Sequence, residues 1–225
     1  MIVADPCLKR SRGRPQCRPD AETRHLIAEA AQREFMANGF DGTSMDAVAK
    51  RAGVSKKTLY RLIPTKAAVF KASISARTSR FLLAVEAEEA GQLDVMAGLE
   101  RVLTRFGAQT MSKGTIAFQK LVIAESDRFP DLATSFYKEA MVATLTVIED
   151  YLRLQCQRGA IALDDPREAA GMLRGMMIMD PQRDVMMGQH PPPTADEIAA
   201  RAKACAQLFL QGCLVARENR RRADP

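Results

Sequence analysis

The sequence predicts an all-α protein of about nine helices, and three observations carry that prediction. Apolar residues recur at helical spacing from about residue 20 to about residue 217. No stretch shows the apolar–polar alternation of a half-buried strand, and there is no internal repeat. The breaks between segments fall at Gly, Pro and short polar side chains that stop or cap helices.

Taken in order, residues 1–19 carry Lys9, Arg10, Arg12, Arg14 and Arg18 among Pro6, Gly13, Pro15 and Pro19. That composition cannot build a core and reads as a flexible basic arm. Asp20 offers an N-cap to a first helix, in which Ile27, Ala31 and Phe35 share a face until Asn38-Gly39 closes it. A second helix starts at Thr43 or Ser44, with Asp46 three residues after Thr43 as an approximate capping box. Its buried face is Met45, Val48, Ala49 and Ala52, and Gly53 ends it in the left-handed conformation glycine tolerates. Ser55 caps a short third helix, Lys56–Leu62, whose buried side is Leu59 and Leu62. Pro64 stops it, and Lys66 opens a fourth that runs into Glu86–Glu89. Helical spacing continues near 92–110, 114–126, 130–157, 166–179 and 194–217. Breaks come at Ser112–Gly114, Phe129-Pro130, Gly159 and Pro166, with a longer gap around Asp180–Pro193.

Composition narrows the function. A hydrophobic content of 47% and a charged content of 27% are those of a soluble globular protein. No run approaches the eighteen or so apolar residues of a membrane span. The basic N-terminus lacks an apolar stretch behind it, so a cytoplasmic protein with no membrane partner is expected. Cys7, Cys17, Cys156, Cys205 and Cys213 include no CxxC pair, and neither a disulfide framework nor a metal site is expected. Cys205 and Cys213 can share one helix face, which leaves a redox-sensing alternative open. His25 lies in an apolar helix pattern and His190 beside three prolines. Neither belongs to a nucleophile motif, and no Gly-rich phosphate loop is present. No catalytic residue and no cofactor are expected.

The charge is placed more tellingly than its total. Residues 1–66 hold 13 Lys and Arg against 7 Asp and Glu, whereas residues 67–225 hold 20 of each. All of the net +6 lies in the first third. That is the electrostatic footprint of a nucleic-acid-binding module.

Met45–Leu62 supplies the element such a module needs. Ala49 is small where two helices must cross, Gly53 falls four residues later at the turn, and Val54, Leu59 and Leu62 plug the angle. Lys56, Lys57, Thr58, Tyr60 and Arg61 are left on or near the outer surface of the second helix, the one that enters the major groove in a helix-turn-helix. Over Phe35–Phe70 the string FMANGFDGTSMDAVAKRAGVSKKTLYRLIPTKAAVF resembles the TetR family of repressors. Gly39-Phe40, Thr43-Ser44, Ala52-Gly53-Val54-Ser55, Thr58-Leu59-Tyr60 and Thr65-Lys66 carry the likeness, and Arg12-Gly13-Arg14-Pro15 looks like the arm of many members. Leu62-Ile63 stands where the family usually has an aromatic, and Lys57 where a glycine is common.

The resemblance implies a homodimer on near-palindromic double-stranded operator DNA, with a small-molecule effector controlling it. Thr43 and Ser44 would hold a phosphate at a helix N-terminus. Ser55, Lys56, Lys57, Thr58, Tyr60 and Arg61 would contact backbone and bases. Lys66 would clamp a further phosphate, and Arg14 would enter the minor groove. Residues 20–75 form the DNA-binding domain, with the helix-turn-helix at 44–63, and residues 76–225 the effector-binding and dimerisation domain. Within the latter, Leu121–Ala140 and the later DDPREAAGMLRGMM look like the AefR-type branch.

Phe106, Phe118, Phe136, Tyr137, Met141 and Met176 are candidates to line an effector pocket, although such residues also serve as plain core. Met172, Ile198, Ala202, Cys205, Phe209 and Cys213 are expected at the dimer interface, where small residues permit close helix approach. The alternative left open is a redox-sensing or small-molecule-binding protein whose DNA contacts are secondary.

Overall fold

Small polar side chains start the helices, as the sequence implies. Ser44, Ser55, Asp94, Ser112 and Asp165 each accept backbone N–H groups of the first turn that follows them. The computed structural model describes residues 18–89 and 94–223, and the side chains of residues 80–89 and 213–223 lie outside the description. Arg14 and the thiols of Cys7, Cys17 and Cys213 therefore fall outside it. The helices are α1 (Asp20–Gly42), α2 (Met45–Ala52), α3 (Lys56–Leu62), α4 (Lys66–Glu89), α5 (Val95–Thr110), α6 (Lys113–Glu125), α7 (Pro130–Phe136), α8 (Ala143–Gln157), α9 (Pro166–Met186) and α10 (Ala195–Ala223). A π-helical turn, Tyr137–Val142, joins α7 to α8 without a break. The described residues thus form nine rods and no strand, the all-α fold expected, with α1 kinked at Gly39, whose φ of 72° breaks the helical path where the sequence closes it.

Two details depart from the sequence reading. Asp20 does not cap α1: Pro19 occupies the cap position, and the Asp20 carboxylate instead accepts both terminal nitrogens of Arg61 at 2.8 and 2.9 Å. The gap expected from Asp180 is mostly helix, because α9 continues through Pro181 to Met186. Proline lacks the N–H that would bond the carbonyl four residues back, at Met177. Arg201 of α10 supplies the donor instead, from Nε to the Met177 carbonyl at 2.8 Å and from Nη2 to that of Met176 at 2.7 Å.

Burial divides into two clusters. The first is built by α1–α4 around Ile27, Phe35, Val48, Leu59, Leu62 and Phe70, and is completed by Phe118, Val122, Leu132 and Phe136 of α6 and α7. The second packs α5, α8, α9 and α10 around Leu99, Phe106, Ile148, Leu152, Leu173 and Ala202. Gly107 lets α5 approach α9 and α10 closely, since a Cβ there would come within 2.6 Å of Met177 Cε and 2.9 Å of Ile198 Cγ2. The hydrophobic core of the N-terminal helices therefore reaches past residue 75 into the C-terminal part.

Candidate nucleic-acid interface and ligand cavity

α2 and α3 meet through a tight turn. Gly53 stands at φ 67°, and its N–H returns to the carbonyl of Lys50. That conformation is cheap only for glycine. Val48, Ala49, Leu59 and Leu62 are buried beneath the turn, which leaves Ser44, Ser55, Lys56, Lys57, Tyr60 and Arg61 exposed and Thr58 half-exposed. Tyr60 presents 48% of its surface, a large share for an aromatic residue, and Lys57 is exposed beside it. Ser55 Oγ accepts the Thr58 N–H at 3.0 Å and lies 2.8 Å from Thr58 Oγ1.

Other expected contact residues are occupied within the chain. Thr43 is buried; its hydroxyl donates to the Gly39 carbonyl at 2.7 Å and its N–H to that of Phe40. It is a structural residue, and Ser44 caps α2. Lys66 sits with its ammonium 4.7 Å from the Phe40 ring centre and donates to the Asp41 carbonyl at 2.9 Å, a cation placed at the end of α1. Desolvation pushes its pKa below the ordinary lysine value, while Asp41 and Glu125 pull it back. Lys56 pairs with Asp46 at 2.5 Å, and Arg61 with Asp20. The Arg61 guanidinium, chiefly by its hydrogen bonds, holds the Asp20 carboxyl below its ordinary pKa.

Between the two hydrophobic clusters lies a cavity of about 250 Å³. Phe106 comes from one cluster, and Ile74, Phe118 and Phe136 from the other. Met141, Ile178 and Met179 extend the apolar wall. Four of the six expected lining residues, Phe106, Phe118, Phe136 and Met141, are there. Tyr137 is not: the π turn leaves it 57% exposed. Met176 packs against the second cluster instead.

The polar lining was not foreseen. It comprises Gln32, Ser73, Arg77, Thr78, Gln109, Thr110, Thr115, Gln119, Thr144, Arg174 and Gln182. The available signal was the interruption of apolar helix faces by Arg and Gln, as at Ile74–Thr78 and Leu173–Ile178. Arg77 is oriented by Ser112 Oγ at 2.7 Å and by Thr115 Oγ1. A second, more polar recess of about 310 Å³ on α1, α4 and α5, which Glu29 also lines, shares Gln32, Ser73, Arg77 and Gln109 with the cavity.

The stripe expected at the dimer interface is turned inward. Ile198, Ala202 and Cys205 are buried in the second cluster, and Phe209 packs against it, with α10 lying along α5. A helix this amphipathic buries its apolar stripe within its own chain first, and spacing does not distinguish that from burial against a partner. Burial also raises the Cys205 thiol pKa, which lowers its thiolate population. Met172 is 58% exposed. It shares the outer surface of α9 with Gly171 and Met179, while α10 exposes Ala204, Gln207, Gly212 and Leu208, the last at 64%.

No helix among the described residues is long and apolar enough to cross a membrane. The sequence model of the bacterial regulatory proteins of the tetR family matches residues 27–73. That of the AefR-like transcriptional repressor C-terminal domain matches residues 97–212, more than half of the chain. The HTH-type transcriptional regulator EthR of Mycolicibacterium smegmatis is 31% identical over 145 residues, 61% of this chain and 64% of that protein. The chain matches less than two thirds of the length of its curated relatives. Among solved structures, a TetR-family regulator from Mesorhizobium loti superposes with a TM-score of 0.75 at 27% identity, covering 85% of this chain and 96% of that one. The flavonoid-responsive regulator FrrA superposes with a TM-score of 0.66 at 30% identity, covering 86% and 97%. Helix-turn-helix, two-cluster bundle and sequence agree, and the chain belongs to the TetR family of bacterial regulatory proteins, with a C-terminal part of the AefR-like type.

Proposed function

We propose that this protein is a ligand-responsive DNA-binding transcriptional regulator, a repressor that leaves its operator when a small molecule fills the cavity. Residues 20–75 read DNA and lend Gln32, Ser73 and Ile74 to the cavity wall, and residues 76–225 supply the rest of that wall and hold the partner subunit. One observation carries the reading: the cavity is walled in part by Gln32 of α1, the helix on which α2 and α3 are mounted, and by Ser73, Ile74, Arg77 and Thr78 of α4, which packs along α1. A ligand that fits one setting of α1 and α4 better than another shifts the orientation of the reading helix by that difference, and only by that difference. The name of FrrA, a flavonoid-responsive regulator, supports control by a small organic molecule.

On the DNA side, Ser44, Lys57, Thr58 and Tyr60 take the bases and nearest phosphates. Lys56 and Arg61 join by exchanging Asp46 and Asp20 for phosphate oxygens. Lys66 contributes from the margin while bracing α1. The partner subunit docks on the outer face of α9 and α10, around Met172 and Leu208, where Gly171 and Gly212 have open space above them. One helix-turn-helix reads few base pairs, so a two-fold dimer on a near-palindrome gives useful specificity. Selection of bound duplexes from random DNA by the full chain tests this. Two half-sites about one helical turn or a small multiple apart are expected, with the preference altered by Tyr60→Ala. No enriched sequence at all would overturn the reading.

A further inference from the structure

The electrostatics of the cavity wall are one-sided. Two guanidinium groups, Arg77 and Arg174, line it, and the lining contains no Asp, Glu, Lys or His. Its other polar groups are the neutral amides of Gln32, Gln109, Gln119 and Gln182 and several hydroxyls. Arg77 comes from α4, where the Ser112 and Thr115 hydroxyls orient it, and Gly114 leaves room for the guanidinium, which lies 3.1 Å from where a Cβ would stand. Arg174 enters from α9 and has no carboxylate partner among the described residues. A cation placed between Phe106, Phe118 and Phe136 would meet the Arg174 guanidinium and no carboxylate of that wall, Glu29 standing in the adjoining recess that shares Arg77, in a site of reduced dielectric. An acid would meet charge-assisted donors and an apolar chamber for its body.

We infer that the effector of this cavity is an oxygen acid with an apolar body, ionised at neutral pH, whose anionic group is taken by Arg174 with Arg77. This rests on the reading of the cavity as the effector site, and it adds the ligand's charge. Each helix that supplies a guanidinium also has a second duty. α4 leads back to the helix-turn-helix, and α9 bears the exposed face around Met172, so the acid group bridges the two.

The test uses the full-length protein and two matched ligand series measured by calorimetry: decanoate, decanamide and decylamine, and naphthoate, naphthamide and naphthylmethylamine. In at least one series the acid is expected to bind about ten- to hundred-fold more tightly than its amide, the effect of a charge-assisted hydrogen bond, and the amine not at all. Arg174→Gln should cost the acid about ten- to hundred-fold and the amide far less, so that the two bind alike, with unchanged thermal unfolding reporting that the variant is folded. Equal affinity for acid and amide, or tighter binding of the amine, would overturn the charge assignment and leave the cavity standing as a ligand site. Failure of all six probes to bind would overturn both the charge assignment and the reading of the cavity.

Discussion

Arg201 shows how a single side chain lets an element continue past a residue that should end it. Its donors on the Met176 and Met177 carbonyls stand in for the N–H that Pro181 lacks. Arg201→Leu leaves a carbonyl without its donor and should cost about 1–3 kcal/mol in chemical denaturation. In a Pro181→Ala background the helix regains its own N–H, and the same substitution should cost less; equal costs would place the role of Arg201 elsewhere. Asp20 belongs to the same scale. Because its folded pKa is depressed, chiefly by the Arg61 hydrogen bonds, the pair is fully formed above the ordinary aspartate range and is lost only as pH falls through that lowered value. An NMR carboxyl titration should place Asp20 below the ordinary aspartate value, and Arg61→Gln should return it there. Neither partnership was legible in the sequence. Pro181 lies 20 positions before Arg201, and Asp20 41 before Arg61, and helical spacing carries no information about which distant side chain answers a local defect.

At the scale of elements, the start of α3 and the turn before it were legible because their causes are local. Ser55 caps, Gly53 adopts a positive φ, and Leu59 and Leu62 mark the buried side. α10 was legible as a helix but not in its orientation. Its stripe of Ile198, Ala202, Cys205 and Phe209 closes the chain's own core against α5, and the opposite face carries Ala204, Leu208 and Gly212. The two faces predict different failures. Leu208→Glu should abolish the dimer in sedimentation with thermal unfolding of the subunit little changed. Phe209→Glu should instead bury a carboxylate in the α5–α10 seam and lower subunit stability by about 2–4 kcal/mol. A Leu208→Glu protein that remains dimeric would move the interface off this face.

For the whole molecule, the aromatic contacts follow the route by which a ligand would be felt. Phe136 and Phe118 border the cavity, Phe118 stacks on Phe70 at 5.1 Å, and Phe70 meets Phe35 and Phe40 at 5.3 and 5.6 Å beneath the helix-turn-helix. The all-α class and the basic N-terminal third were readable from spacing and charge. The cavity's polar lining was not, because it is assembled from six helices that converge only in three dimensions. DNA recognition by the basic first third remains the central claim, and the salt dependence of its affinity tests that claim most directly. Fluorescence anisotropy on a selected operator, from 50 to 200 mM salt, should show affinity falling by about 10³–10⁵, as expected for roughly 6–10 phosphate contacts per dimer. An operator affinity unchanged across that range would contradict it.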